Sequence, residues 1–544
     1  MSKVAGVSID VSHKPRILVV ENEAASRLLT VELLRQWNYH PYVVEAEGEE
    51  LLNKAVEMAK VHRCHLALVD LRLLDNNDRE DLSGLELVPD LKPTESIILS
   101  GYLDYQVVQK GIQEKGALSF VGKQEGPGRL KEHLERAINR HCASQHSLRI
   151  TPSHLMQRAL RDMFPGDDQV PKDEVEDVLI RLFPDANRLR LEKVESTGIS
   201  LSRVPRPRSK IFLAYKDDLQ PEVLKLARAG KIIKEVQQYK NFIEDRLVGY
   251  FSPPIKNWQA LWDLGGAVYP FMGSTQVQPF ARYYASASVA DIEHSLRHFF
   301  TKTWSKLYNM QMKRKKYIFE AYCDVWDMDW YSERLVYLPR LELDRNMSTR
   351  MQLIQSPDPV LWLIDRVNGA GDMPLTKMAV THGDLHGDNI LVDENRHMWV
   401  IDFERSGFGP ILQDFIELEI DILTRMSNIP EHDFTTFYVL AVWIASPDHI
   451  DELPLLPRST NPELIKTMQV IASLRRLARE CTGETDTRPY LWGLILNALF
   501  RASLLQNPHH RSSQQRALML ASLLCHRLDH WETKWPPAEW PAIY

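Results

Sequence analysis

Val380–Glu404 reads VTHGDLHGDNILVDENRHMWVIDFE, and this stretch decides the fold of the larger part of the 544-residue chain. Two apolar runs, Ile390-Leu391-Val392 and Trp399-Val400-Ile401, flank the polar turn Asp393-Glu394-Asn395. Apolar runs bounded by turn-forming residues predict a β-hairpin. Polar residues crowd its open ends: His382, Asp384, His386, Asp388 and Asn389 before the first strand, Asp402 after the second. A hairpin brings such ends to one side of a sheet, close enough to share a divalent cation.

The order Asp384, four residues, Asn389, then Asp402-Phe403 resembles the D-x-x-x-x-N and D-F-x segments of the protein-kinase-like fold. The HGD opening and DFE ending look more like the aminoglycoside phosphotransferase and choline kinase branch. The resemblance implies an α+β, two-lobed, kinase-like domain over about residues 189–544. It makes Asp384 the catalytic base for a substrate hydroxyl, with Asn389 and Asp402 holding Mg²⁺ against the phosphates of ATP. Magnesium favours oxygen ligands, commonly one or two carboxylates plus phosphates and water.

Working outward, Lys225 lies in the strand-like VLKL, and Glu235 follows in the helical KIIKEVQQYKNFI. They match the lysine–glutamate pair of a kinase small lobe, in which lysine binds the nucleotide phosphates. Gly198 and Ser200, in VESTGISLSRV, stand where a phosphate-covering loop belongs. Leu264–Gly273 reads as a strand entering an interlobe hinge, with Tyr269 and Met272 at the adenine edge by analogy. On the C-terminal side, Asp414 matches the aspartate that braces the catalytic loop in the phosphotransferase branch. Lys313-Arg314-Lys315-Lys316 reads as a solvated basic run.

A different pattern occupies the first part of the chain. Arg16–Val20 is a β-branched run ending at Glu21-Asn22-Glu23; Leu66–Val69 ends at Asp70, Ile97–Leu99 at Ser100, and Leu118–Val121 at Gly122-Lys123. Strands alternating with helical segments predict a doubly wound parallel sheet. Its polar strand ends then converge on one crevice. Over residues 15–142 this resembles the receiver domain of two-component response regulators, an α/β fold with a five-stranded parallel sheet. The resemblance makes Asp70 the phospho-acceptor, Glu21 and Asp70 the metal-binding acids, and Ser100, Phe120 and Lys123 the switch set. It departs from the family at Asn22, where a second acid is usual, at Gln124, and in the acidic loop Asp75–Ser83.

The remaining features bound the whole. Net charge is -7 at pH 7, which argues against nucleic acid as a partner. Five cysteines lie scattered with no C-x-x-C pair, as expected of a cytoplasmic chain with reduced thiols. No apolar run reaches membrane-spanning length. The expected organisation is a tail (1–14), a receiver-like domain (15–142), a helical connector (143–188), a small lobe with hinge (189–273) and a mainly helical large lobe (274–544). The expected function is a two-component signalling protein. Its receiver, addressed by an upstream histidine kinase or phosphotransfer protein, controls transfer of the ATP γ-phosphoryl to a hydroxyl-bearing substrate. The competing reading is a non-catalytic signalling scaffold.

Overall fold

The computed structural model describes residues 14–101, 104–141, 148–164, 172–193, 209–247, 253–271, 277–326, 355–369, 373–456, 461–504 and 511–536, with scattered single residues between 333 and 341. They form two compact units, one built from residues up to 194 together with 208–233 and 255–270, the other from the rest.

The first unit opens with β1 (Arg16–Val20), β2 (His40–Val43), β3 (Leu66–Asp70), β4 (Glu95–Ser100) and β5 (Ser119–Gly122), all parallel in the order β2-β1-β3-β4-β5. Between them run α1 (Ala24–Gln36), α2 (Glu49–Val61), α3 (Ser83–Leu87) and α4 (Tyr105–Lys110), and α5 (Pro127–His141) follows β5. Alternate strand residues feed two cores on opposite faces: Leu18, Val20, Val69 and Ile98 on one, Ile17, Val19, Leu68 and Ile97 on the other. This is why β1 and β3 read as unbroken apolar runs, as strands buried on both faces do. β2 escapes that signal because it carries Pro41 and only partly buried residues.

A second sheet, mostly antiparallel, has six strands in the order β10-β11-β9-β8-β7-β6. They are β6 (Arg149–Thr151), β7 (Arg188–Lys193), β8 (Ser209–Lys216), β9 (Pro221–Arg228), β10 (Asn257–Ala260) and β11 (Leu264–Pro270). The segment expected as a helical connector supplies α6 (Ser153–Met163) and α7 (Lys172–Leu182), and also β6, which pairs in parallel with β7. Met156, Ala159, Val178 and Leu182 bury against Leu189, Phe212, Leu224 and Leu264 in one core. The residues between receiver and sheet are thus part of the sheet's own packing.

The receiver-like sheet is fastened to α7. His65, immediately before β3, is 6 % exposed and its Nε2 lies 2.9 Å from Asp177 Oδ2. Its Nδ1 accepts the Arg16 backbone N–H at 2.9 Å, so the ring proton sits on Nε2 and is donated to Asp177. Arg63 pairs with Glu174 and Asp263, while Glu174 Oε1 accepts the N–H groups of Asp263 and Leu264 at 2.7 and 2.9 Å. Trp262 packs against both the receiver core and the six-stranded core. His65→Ala should therefore destabilise the chain by about 1.5–3 kcal/mol, the worth of a hydrogen bond to a charged group. Urea unfolding of wild type and variant measures it, and an unchanged midpoint would show that the imidazole contributes nothing.

The second unit is mainly helical, with short strands that position one loop. β12 (Gln278–Pro279) pairs with β16 (Ile390–Val392), which pairs with β17 (Met398–Val400). β13 (Lys316–Tyr317) pairs with β14 (Leu375–Thr376), and β15 (Met378–Thr381) with β18 (Gly407–Pro410). The predicted hairpin is present, in the register Ile390↔Val400. Helices Gln413–Asp421, Phe434–Ala445, Pro462–Thr482, Thr487–Leu504 and Arg511–Asp529 supply the core, several of them buried along nearly their whole length. Val289–His298 and Ser305–Tyr308 are α-helical, with a π turn at Phe299–Trp304 between them. No helix among the described residues is long and apolar enough to cross a membrane.

Candidate functional site

In the first unit the strand ends meet as the sequence predicts. Lys123 Nζ lies 2.8 Å from Asp70 Oδ1 and 2.8 Å from Glu21 Oε2, so an exposed lysine closes over two buried carboxylates at the carboxyl edge of the sheet. Burial raises the carboxyls of Glu21 and Asp70 above their ordinary range, and Asp70 pushes Glu21 further. Burial works against the Lys123 ammonium, but the two carboxylates outweigh it and raise its pKa. Ser100 is buried at the end of β4, opposite Gly122 in register. Phe120 packs inward, its ring so close to Gly111 that a Cβ there would stand 2.4 Å from it. Gly84 is required by a similar approach, since a Cβ would fall 1.8 Å from the Asp70 carbonyl oxygen.

Asn22 does something the sequence did not suggest. Its amide nitrogen donates to the Leu73 carbonyl and to Asn76 Oδ1, both at 3.1 Å, tying the β1 end to the loop after β3. Its Oδ1 is buried and has no hydrogen-bond partner. That orphaned oxygen, with Glu21 and Asp70, fits the all-oxygen preference of Mg²⁺. Glu23 and Asp75 are otherwise engaged, Glu23 with the Ser26 hydroxyl and Asp75 with the Asn77 N–H. Asn22→Asp adds a charge and removes the latch to the loop. Mg²⁺ affinity of the full chain should rise about tenfold, or roughly 1.4 kcal/mol. Magnesium titration of beryllofluoride labelling reads this, and equal half-saturation would mean that the amide is no handicap.

In the second unit, the loop His382–Asn389 joins β15 to β16 and is held by one face of the Gln413–Asp421 helix. Asp414 accepts the N–H of His382 at 3.0 Å and of Gly383 at 3.1 Å, Glu417 that of Leu385 at 2.7 Å, and Asp421 that of Gly387 at 2.8 Å. Spacings of three and four residues align these carboxylates on the helix surface. Tyr308 donates to Asp414 at 3.1 Å, and Arg425 clamps Asp421 and Asp388. Gly383 sits at φ 77°, and a Cβ there would stand 2.3 Å from the Arg405 carbonyl oxygen.

Asp384 is the acid of this loop left out of the ladder. Its side chain is 30 % exposed and accepts no hydrogen bond among the described residues, the nearest cations being Arg405 Nη1 at 3.7 Å and His386 Nε2 at 3.9 Å. Burial opposes its charge, yet Arg405, His386 and Arg501 together hold the carboxyl below the ordinary range. Asn389 Nδ2 donates to the Asp384 carbonyl at 2.9 Å, and its own carbonyl accepts from Ile401 at 3.0 Å. This fixes Asn389 beside Asp402, a non-glycine residue at φ 69°. Asparagine amide oxygen and aspartate carboxylate are suitable donors for Mg²⁺.

The acids of the ladder differ in charge state. Burial pushes Asp414 up to about 6, although its amide donors resist. Burial, with Asp384 and Asp414 nearby, pushes Glu417 up to about 8. Arg425 holds Asp421 well below the usual carboxylate range in spite of burial. Glu417 thus keeps a proton in the folded chain at pH values where the unfolded chain, near 4.3, has lost it. Its contribution to stability is complete below about pH 4.3 and is lost as pH rises through about 8. Glu417→Gln should flatten the fall in stability between pH 5 and 8, and parallel denaturation curves for the two proteins would contradict the assignment.

Lys225 is buried on β9, between Ile211 and Ala267 in register, and Glu235 is fully buried on α8 (Ala229–Gln238). Tyr269 is buried near the end of β11. Gly198, Ser200 and Met272 lie outside the described residues. The basic run at Lys313–Lys315 is exposed. Sequence reasoning missed Glu417 and Asp421 as loop holders. Their spacing of three and seven residues from Asp414 on the one helix was the available signal.

The profile of a family described as Ternary complex associated domain 9 matches residues 325–503. The transcriptional regulatory protein PdtaR of Mycobacterium tuberculosis is 23% identical over 131 residues, 24% of this chain, and the chain spans 60% of the length of that curated relative. Among solved structures, the receiver domain of NtrX from Brucella abortus matches at 25% identity and TM-score 0.19, covering 22% of this chain and 97% of its own. A response regulator from Thermotoga maritima matches at 18% and 0.20, covering 23% and 98%. In strand order, parallel pairing and the residues at its strand ends, the N-terminal domain is similar to the receiver domains of response regulators.

Proposed function

We propose that the chain is a two-component signalling phosphotransferase, in which the receiver domain governs a kinase-like domain. Asp384 receives the proton of an acceptor hydroxyl as the ATP γ-phosphoryl is transferred to that oxygen. Asn389 and Asp402 hold Mg²⁺ against the nucleotide phosphates, and Lys225, oriented by Glu235, binds them from the small lobe. Asp70 takes the regulatory phosphoryl group from an upstream histidine kinase or phosphotransfer protein, with Glu21 and the Asn22 oxygen supporting the metal and Lys123 released to pair with the new charge.

One observation carries the reading. Three acids on one helix are consumed in holding the loop, while Asp384 is left ionised, partly accessible and, among the described residues, with no hydrogen bond to its side chain. A loop fixed through its backbone with one free carboxylate is what positioning of a general base requires. The test is incubation of purified protein with Mg²⁺ and γ-labelled ATP, with and without a metabolite extract. Label moving to a small molecule or protein supports the enzyme. Nucleotide binding without transfer supports the scaffold, and failure to bind Mg-ATP removes the nucleotide role altogether.

A further inference from the structure

Two guanidinium groups near the His382–Asn389 loop lack hydrogen-bond partners among the described residues. Arg405 lies over the Phe500 ring at 5.4 Å and comes no nearer to Asp384 than 3.7 Å. Arg501 is 9% exposed, and its Nη2 stands 4.0 Å from Asp421 Oδ1. Neither makes a hydrogen bond among the described residues. Both separations exceed the range of an N–H···O bond. Other deep arginines of this unit do donate: Arg475 to Glu419 at 2.7 and 2.9 Å and to the Ile444 carbonyl, Arg425 to Asp421 and Asp388, and Arg516, apart from its Nε, to the Ile429 carbonyl.

Buried polar groups are ordinarily hydrogen-bonded, and arginine carries five donors in a rigid fork. Two unfilled forks therefore mark a place for an acceptor. Arg405 lies 3.7 Å from Asp384, and Arg501 4.0 Å from Asp421, whose carboxylate holds the Gly387 N–H of the same loop; both guanidinium groups favour the ionised Asp384. Asp384 acts most strongly on Arg405, and Glu417, Glu404 and Asp402 act on it too, yet none of them takes a hydrogen bond from it among the described residues. Asp421 is already taken by Arg425 and by the Gly387 N–H.

We propose that Arg405 and Arg501 form an oxyanion subsite, and that the acceptor whose hydroxyl meets Asp384 carries a phosphate or carboxylate group. The role of acceptor rests on the phosphotransferase reading; the capacity to bind an oxyanion does not. A planar oxyanion face can take two parallel N–H donors from each fork, the strongest geometry open to arginine. The same charges disfavour a cationic acceptor.

The experiment is calorimetric titration of the full chain, without magnesium, with inorganic phosphate and, separately, with malonate. Wild type should bind at least one of them in the millimolar range, and the preferred probe tells a phosphate-bearing from a carboxylate-bearing acceptor. Arg405→Met and Arg501→Met should each weaken binding about tenfold, the loss of one charge-assisted contact. Asp384→Asn should bind at least as tightly as wild type. Should Arg501→Met fail to fold, Arg501→Lys keeps the charge and the stem but loses the fork, and should still weaken binding. Repeating the titration with Mg-ADP bound shows whether nucleotide and oxyanion coexist. No binding of either probe, or binding indifferent to both arginines, overturns the subsite. Displacement by Mg-ADP overturns the acceptor role, placing the arginines on the nucleotide. If Mg-ATP does not bind while arginine-dependent phosphate binding stands, the phosphotransferase reading falls and the subsite remains.

Discussion

Asp384→Asn is expected to cut phosphoryl transfer by roughly 10²–10⁴-fold, the usual contribution of a positioned general base, while Mg-ATP binding stays near wild type. The asparagine has the same shape and needs no new partner, because the Asp384 carboxylate accepts no hydrogen bond among the described residues. What changes is the ability to take a proton, together with one negative charge facing Arg405 and His386. Asp402→Ala should behave oppositely, losing Mg-ATP affinity together with turnover because a metal carboxylate is gone. Measured by labelled-ATP transfer and by calorimetry, the two variants separate base from metal ligand. Should Asp384→Asn turn over at the wild-type rate, the base lies elsewhere.

Asp414→Ala is expected to have the largest effect on stability. The carboxylate is fully buried and receives two backbone N–H groups and the Tyr308 hydroxyl. Alanine leaves these donors buried without their acceptor, at about 1–3 kcal/mol each, so a total of roughly 3–9 kcal/mol follows before any relaxation. That is a large share of an ordinary domain's stability. Asp414→Asn should fall between, because its oxygen still accepts while its amide faces other donors. Chemical denaturation followed by tryptophan fluorescence reads the difference. A wild-type midpoint for Asp414→Ala would mean that the loop is held by Glu417 and Asp421 alone.

Much of this architecture was legible in the sequence where burial on both faces forces a residue type. β1, β3 and β4 could be little else than parallel strands, and their polar terminators Glu21, Asp70 and Ser100 mark the crevice. The hairpin around Asp393–Asn395 was legible for the same reason, its turn-formers standing between two apolar runs. β2 and β6 were not, since one carries a proline and the other is three residues long and partly exposed. The acids were harder still. Asp384, Asp414, Glu417 and Asp421 are chemically alike in a sequence, and only the path of the backbone decides which receive amides and which stays free. Asn22 could be read as a lost charge, but not as an amide turned toward the Leu73–Asn76 loop. The pairing of His65 with Asp177 spans 112 positions, beyond any local pattern.

That last contact bears on how such a protein can be assembled over evolutionary time. A fusion of two portable genes would leave a seam between residues 141 and 148, across which either half could be exchanged. Here the seam does not coincide with the packing. Arg63 and His65 of the receiver answer Glu174 and Asp177 of the following helix, and Trp262 serves both cores. A receiver without an arginine and a histidine at these places would leave Glu174 and Asp177 unanswered. Changes at Arg63 or His65 are therefore expected to be matched by changes on α7.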